Sequence, residues 1–121
     1  MRMIHTHETN EANKTIAISA DERDEKYGNA SHAYGIMFEG KEDHDIYIDF
    51  QRGPIKEVGV NGITNEALLA NLIDRLEGFQ SGPFACELNA EALSHLQQAL
   101  NCLHTRTKER EARGVEGTNV V

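Results

Sequence analysis

The chain of 121 residues has no Trp, only four Phe and only three Tyr, so aromatic surface is scarce and its placement is informative. Cysteine is scarcer still. Cys86 and Cys102 are the only two, and both stand in apolar, helical-looking surroundings, which argues for reduced thiols and against a disulfide framework. No apolar run approaches the ~18 residues that a membrane-spanning helix needs, and the N-terminus lacks the basic-then-apolar pattern of a secretory signal. A cytoplasmic protein with no membrane partner is the expectation. Basic residues are outnumbered, 12 Lys and Arg against 20 Asp and Glu, for a net charge of −8. Such a surface repels duplex nucleic acid unless its cations are gathered in one place.

Catalytic and metal signatures are missing too. There is no GxSxG, HExxH, P-loop or dinucleotide fingerprint, so no catalytic residue is assigned and an enzyme is not expected. His5 and His7 fall in a polar leader stretch. Cys86, His95, Cys102 and His104 lack the short paired spacing of a zinc site, and the acids of KEDHDIYID do not match a calcium loop. No metal or cofactor is expected. A chain of this size reads as a single domain, 1–121, with a modest core. A deep private cavity would consume much of that core, so a pocket shared between subunits is attractive.

What is present falls into two patterns. Residues 1–12, polar and without periodicity, read as a loose arm. Residues 14–62 read as a β portion: KTIAIS is rich in β-formers, DERDEKYGNAS reads as a loop, and HAYGIMFEG and DIYIDFQ look like paired strands. In the last, Ile46, Ile48 and Phe50 alternate with Tyr47, Asp49 and Gln51, the period of a half-buried strand. RGPIKEVGVNG suggests a short extended piece closed by the turn dipeptide Asn61-Gly62. From Thr64 the period changes to helical, with Leu68, Leu72 and Leu76 four apart and Thr64 placed to cap. A second helix carries Leu93, Leu96, Leu100 and Leu103, spaced three, four, three, and runs on to Gly114. At roughly 25 residues it should be about 38 Å long and outrun its partner. The expected fold is α+β: a small N-terminal antiparallel β-sheet, then a C-terminal antiparallel two-helix hairpin over 63–114, then a tail over 115–121.

Three features of the hairpin could carry chemistry. Arg106, Arg110 and Arg113 are spaced four and three, a stripe that could hold a phosphate, or equally a solvated face in which Glu109 pairs Arg113. Phe79 and Phe84 flank the turn in GFQSGPFACELN, where an aromatic can cap a helix end or offer a stacking face to a nucleobase. Asn89 stands on the first turn of the second helix, where it could cap or hydrogen-bond a ligand. Phe84 and Cys86 read as apolar plugs of the turn.

The string GPIKEVGVNGITNEALLANLIDRLEGFQSGPFACELNAEAL followed by RTKEREARGVEGT, with NASHAYGI upstream, resembles phage-encoded Thoeris anti-defense sponges of the first described type. Their helical hairpin is shared with phage anti-CBASS sponges. The resemblance covers about residues 28 to 118. It implies a non-enzymatic protein that sequesters immune signalling nucleotides in the infected bacterium: glycocyclic ADP-ribose isomers and, in some members, cyclic di- or trinucleotides at a separate site. It also implies self-association, as a homodimer or as a hexamer built from three dimers. By motif, Phe79 matches the base-stacking aromatic, Asn89 the polar contact, and Arg106 and Arg110 the residues that reach phosphate or ribose. The tail residues Arg113, Gly114, Val115, Glu116, Gly117 and Thr118 match a cyclic trinucleotide site. Two positions depart from the pattern: Glu87 stands where a basic residue is common, and Arg52 where a neutral Asn is common. Besides the sponge, a protein-interaction module built on the Leu seam and a signal hydrolase are the other functional classes.

Overall fold

The computed structural model describes residues 1–121, which divide into two compact units: Met1–Gly53 with Val60–Ile63, and Pro54–Gly59 with Thr64–Val121. The first is a four-stranded antiparallel sheet in the order β1-β2-β3-β4. The strands are β1 (Arg2–Ile4), β2 (Ile16–Ala20), β3 (Ala33–Phe38) and β4 (Ile46–Asp49). Their register places Ile4 opposite Ile18, Ile18 opposite Ile36 and Ile36 opposite Ile46, one apolar row across all four strands. A second row on the same face joins Ala20, Tyr34 and Ile48. Beyond it the Tyr34 ring meets Phe50 edge-on at 5.6 Å. The period-two alternation of side chains makes these rows obligatory once the register is set.

The connections of this unit are heavily hydrogen-bonded. A short helix, α1 (Glu11–Lys14), is capped by Asn10, whose side chain accepts from the Asn13 amide. Between β2 and β3 the Asp24 side chain accepts from Lys26 N–H to start a single 3-10 turn, and buried Ser31 donates to the Asp21 carbonyl. After β4, Phe50 bridges Ile63 in parallel, and a Cβ on Gly62 would lie 2.4 Å from the Phe50 carbonyl carbon. That approach requires glycine.

The second unit contains α2 (Ile55–Val58), α3 (Asn65–Gln80) and α4 (Glu87–Ala112). Thr64 caps α3 by accepting from Ala67 N–H. The turn 81–86 sends α4 back antiparallel to α3, and Cys86 is its cap residue, its sulfur accepting from Asn89 N–H. Gln80 fastens this turn from the last residue of α3. Its amide donates to the Cys86 carbonyl and accepts from the Cys86 N–H, both at 3.1 Å. No helix of the protein is long and apolar enough to cross a membrane.

The fold expected from sequence is corrected in two respects. The sheet is not confined to residues after 14. It opens at Arg2, inside what read as a loose arm, because Ile4 completes the isoleucine row while Arg2 and Met3 occupy an exposed edge where polar residues are tolerated. Nor does the sheet lead only into a two-helix hairpin. α1 lies within the sheet unit, and α2 replaces the extended piece expected after Arg52, following Pro54, whose fixed φ suits entry to a helix. Each helix is one turn, too short for a periodic signal.

Two glycine replacements test this packing. Gly62→Ala is expected to lower the thermal midpoint by several degrees, since its Cβ meets backbone atoms that cannot step aside. Gly78→Ala, inside α3 with nothing within 4 Å of its Cβ, should be neutral or stabilising by about 0.5–1 kcal/mol. A thermal melt of the two variants reads both.

Candidate functional site

α4 has 26 residues against 16 for α3, so its last turns extend past its helical partner. Along it the half-buried positions are Asn89, Leu93, Leu96, Leu100, Leu103 and Thr107, and the series ends at buried Arg110. Arg110 therefore occupies the next seam position of the same three-four spacing and points inward. Only 8% of it is exposed. Its Nε donates to Glu116 Oε2 at 3.0 Å, Nη1 to the Val120 carbonyl at 2.6 Å, and Nη2 to the carbonyls of Val115 and Thr118 at 3.0 and 3.1 Å. Four of its five donors are spent on the tail. A buried guanidinium demands such satisfaction, and the Glu116 carboxylate and three backbone carbonyls supply it.

The tail is folded accordingly. Gly114 and Gly117 take φ of 72° and 80°, and the Gly117 carbonyl accepts from Lys56 N–H of α2 at 3.0 Å. Val115 N–H returns to the Arg110 carbonyl, Thr118 N–H to Val115, and the Thr118 hydroxyl also donates to Val115. The amides of Glu116 and Gly117 have no acceptor within the chain. Arg113 is exposed and donates to the Val121 main-chain oxygen, and it makes no pair with Glu109. Arg106 is exposed, with no hydrogen bond or ion pair of its own. The three arginines thus do not form one uniform face.

At the opposite end of the hairpin, Phe79 is half-buried, with its ring centroid 6.2 Å from that of Phe84. The Arg75 guanidinium lies over the Phe79 ring, 5.0 Å from its centroid. Asp74, Arg75, Gly78 and Phe79 line a shallow open groove on α3. Asn89 is half-buried on the first turn of α4. Its backbone satisfies the cap while its side-chain amide makes no hydrogen bond within the chain. Phe84 and Cys86 are not plugs: Phe84 is 71% exposed, and Cys86, like Cys102, is an exposed free thiol. The turn is held by Gln80, and that clamp needs no apolar filling.

Phe79 and Asn89 therefore share the turn end of the hairpin. Arg106 stands about 26 Å further along α4 than Asn89 at the helical rise per residue. Sequence reasoning missed Arg75, although Arg75 and Phe79 are four apart on one helix face, the spacing at which a guanidinium reaches an aromatic ring.

In the sheet unit, Arg52 lies near Tyr27, its Cζ 5.8 Å from the ring, and its Nε donates to Asp24 Oδ2 at 2.7 Å. The hydrogen bond from Arg52 holds the Asp24 carboxyl below its ordinary value, against a smaller opposing effect of desolvation. His32 Nε2 stands 3.8 Å from the same oxygen. No cluster of three or more His, Cys, Asp or Glu is arranged to hold a metal ion.

Fold and sequence pattern together define a helical-hairpin domain that follows a small antiparallel sheet. Residues 42–108, more than half of the chain, match the family described as Acb2/Tad1, hairpin domain, and the chain belongs to that family. It is also 51% identical over 72 residues to a protein named Thoeris anti-defense 1, from Bacillus phage SBSphiJ7. That alignment covers 60% of this chain and 51% of the relative, so the chain spans about half the length of the curated protein it matches.

Two measurements check the local electrostatics. Arg110→Ala leaves four tail acceptors without their donor and should cost about 2–4 kcal/mol, with hydrogen exchange rising at residues 114–120 before it rises elsewhere. For Asp24 the folded-state value is lowered, so its stabilisation is complete above the ordinary carboxylate range and is lost as pH falls through the folded value. Wild type should therefore exceed Arg52→Ala in thermal midpoint at pH 6, and the gap should close in strong acid. A gap independent of pH would contradict this assignment.

Proposed function

We propose that this protein is a phage anti-defense protein that binds and sequesters bacterial immune signalling nucleotides, without degrading them, in the cytoplasm of the infected host. Glycocyclic ADP-ribose is the ligand that the site chemistry suits. Phe79 offers a π-face for adenine, Asn89 an unspent amide for a base edge or ribose, and Arg106 an unspent fork for phosphate. Family membership and the name of the phage relative support the anti-defense role.

One observation carries the form of the site. Phe79 and Asn89 lie at the turn end of the hairpin, and Arg106 stands about 26 Å further along α4 than Asn89, further than one nucleotide signal can reach. A complete pocket therefore needs two copies of the hairpin in opposite directions, so that the turn end of one chain meets the Arg106 end of another. Exposed Leu72, Phe84 and Leu88 supply apolar surface for that association, as a homodimer or a trimer of dimers. Arg110 contributes by fixing the tail beside Arg106, with one donor left for a ligand. The tail itself, Arg113 to Thr118, is proposed as a second site for a cyclic trinucleotide, where the open amides of Glu116 and Gly117 can meet an anion. Sequestration needs only tight binding and sufficient copies, so no reaction step is required.

The same exposed apolar residues favour a second reading, an oligomeric interaction module without a nucleotide ligand. Incubation with glycocyclic ADP-ribose followed by heat denaturation separates the classes. Sequestration depletes free ligand and returns it intact on heating. A hydrolase returns products, and an interaction module depletes nothing. In the double variant Phe79→Ala with Arg106→Ala, a sponge stays a soluble oligomer but loses depletion, the Phe79 change alone weakening binding by about 1–3 kcal/mol.

A further inference from the structure

The geometry points to Arg75 as a further ligand-binding residue, one that holds the Phe79 ring in place and offers its guanidinium fork to a phosphate of the stacked ligand. This rests on the nucleotide reading of Phe79 and extends it to a residue that no motif singles out. Arg75 lies one helical turn before Phe79 on α3, and its Cζ is 5.0 Å from the ring centroid. That contact is the only interaction of its side chain: no carboxylate pairs with it, and no hydrogen bond spends its guanidinium donors. The contrast with Arg110, whose donors are almost all used by the tail, is direct.

The surroundings suit a bound nucleotide. Arg75 and Phe79 share their groove with Gly78, where a Cβ would meet nothing within 4 Å, so a flat group can approach the helix surface closely. A cation against one side of an aromatic ring strengthens when water is displaced, which happens when a base covers the ring. The fork is planar and bidentate, matching a phosphate, and a guanidinium gives up hydration more readily than an ammonium does. Asp74, the other side chain of the groove, carries a negative charge. It counters the nonspecific attraction of free inorganic phosphate and leaves Arg75 dependent on a ligand that also stacks.

The test uses the full chain and glycocyclic ADP-ribose as probe, with calorimetric titration at two salt concentrations and sizing of each variant. Arg75→Ala should weaken binding about ten- to hundredfold and flatten its salt dependence, while oligomeric state and thermal midpoint stay as in wild type. Arg75→Met keeps an aliphatic prop against the ring and should lose as much affinity. Arg75→Lys keeps the charge and should recover part of it. If Arg75→Met binds as wild type does, the residue only props the ring and the inference fails. It fails equally if Arg75→Ala binds normally, or if it dissociates the oligomer, which would place Arg75 in an assembly contact. A wild-type protein that binds no probe at all would instead overturn the nucleotide reading itself.

Discussion

A helix of 26 residues packed on one of 16 leaves its last turns without a helical partner, and much of the C-terminal unit is arranged around that mismatch. The uncovered seam cannot remain leucine without exposing it to water. It changes instead to Thr107 and then to Arg110. Burying a guanidinium there is tolerable only because four acceptors from residues 115–120 close over it. The tail can supply them because glycine at 114 and 117 permits left-handed backbone. α2 in turn receives the tail through Lys56 N–H. Covering the overhang thus organises the end of α4 from which Arg106 projects.

Much of the helical part was legible because its signals are periodic and long. Thr64 caps where the period changes, and the leucine spacing of α4 runs unbroken from Leu93 to Leu103. The same spacing continued to Arg110, but charge disguised a seam position as part of a surface stripe. Short elements were not legible. β1 has three residues and draws its stability from Ile18 and Ser19 across the strand, which local sequence does not reveal. α2 is one turn that follows Pro54, in a stretch whose Gly and Asn read as loop.

For the candidate site, the sequence named residue types but could not show how they are arranged. Phe79 and Asn89 share the turn end, and Asn89 is spared from capping because Cys86 takes that role. A thiol is a weak acceptor and an unusual cap, so residue preferences gave no hint of it. Arg106 lies at the far end of the helix, and Arg110 is committed to the tail. Residues that the family motifs assign to one nucleotide site are thus separated within the chain, and association between chains is what would unite them. Arg75 escaped attention for a different reason: an Arg four positions before a Phe is common on helices, and only the open groove gives it meaning.

The central claim is that one pocket is built from the turn end of one chain and the Arg106 end of another. Co-assembly of two weakened variants tests it directly. Phe79→Ala and Arg106→Ala chains, each expected to hold glycocyclic ADP-ribose only weakly alone, are mixed, and the mixed dimer is isolated and titrated. A pocket shared between chains predicts recovery of one tight site per mixed dimer, since one pocket then combines intact Phe79 with intact Arg106. A mixed dimer that binds no ligand, although the wild-type protein does, would contradict the claim and place the whole site within a single chain.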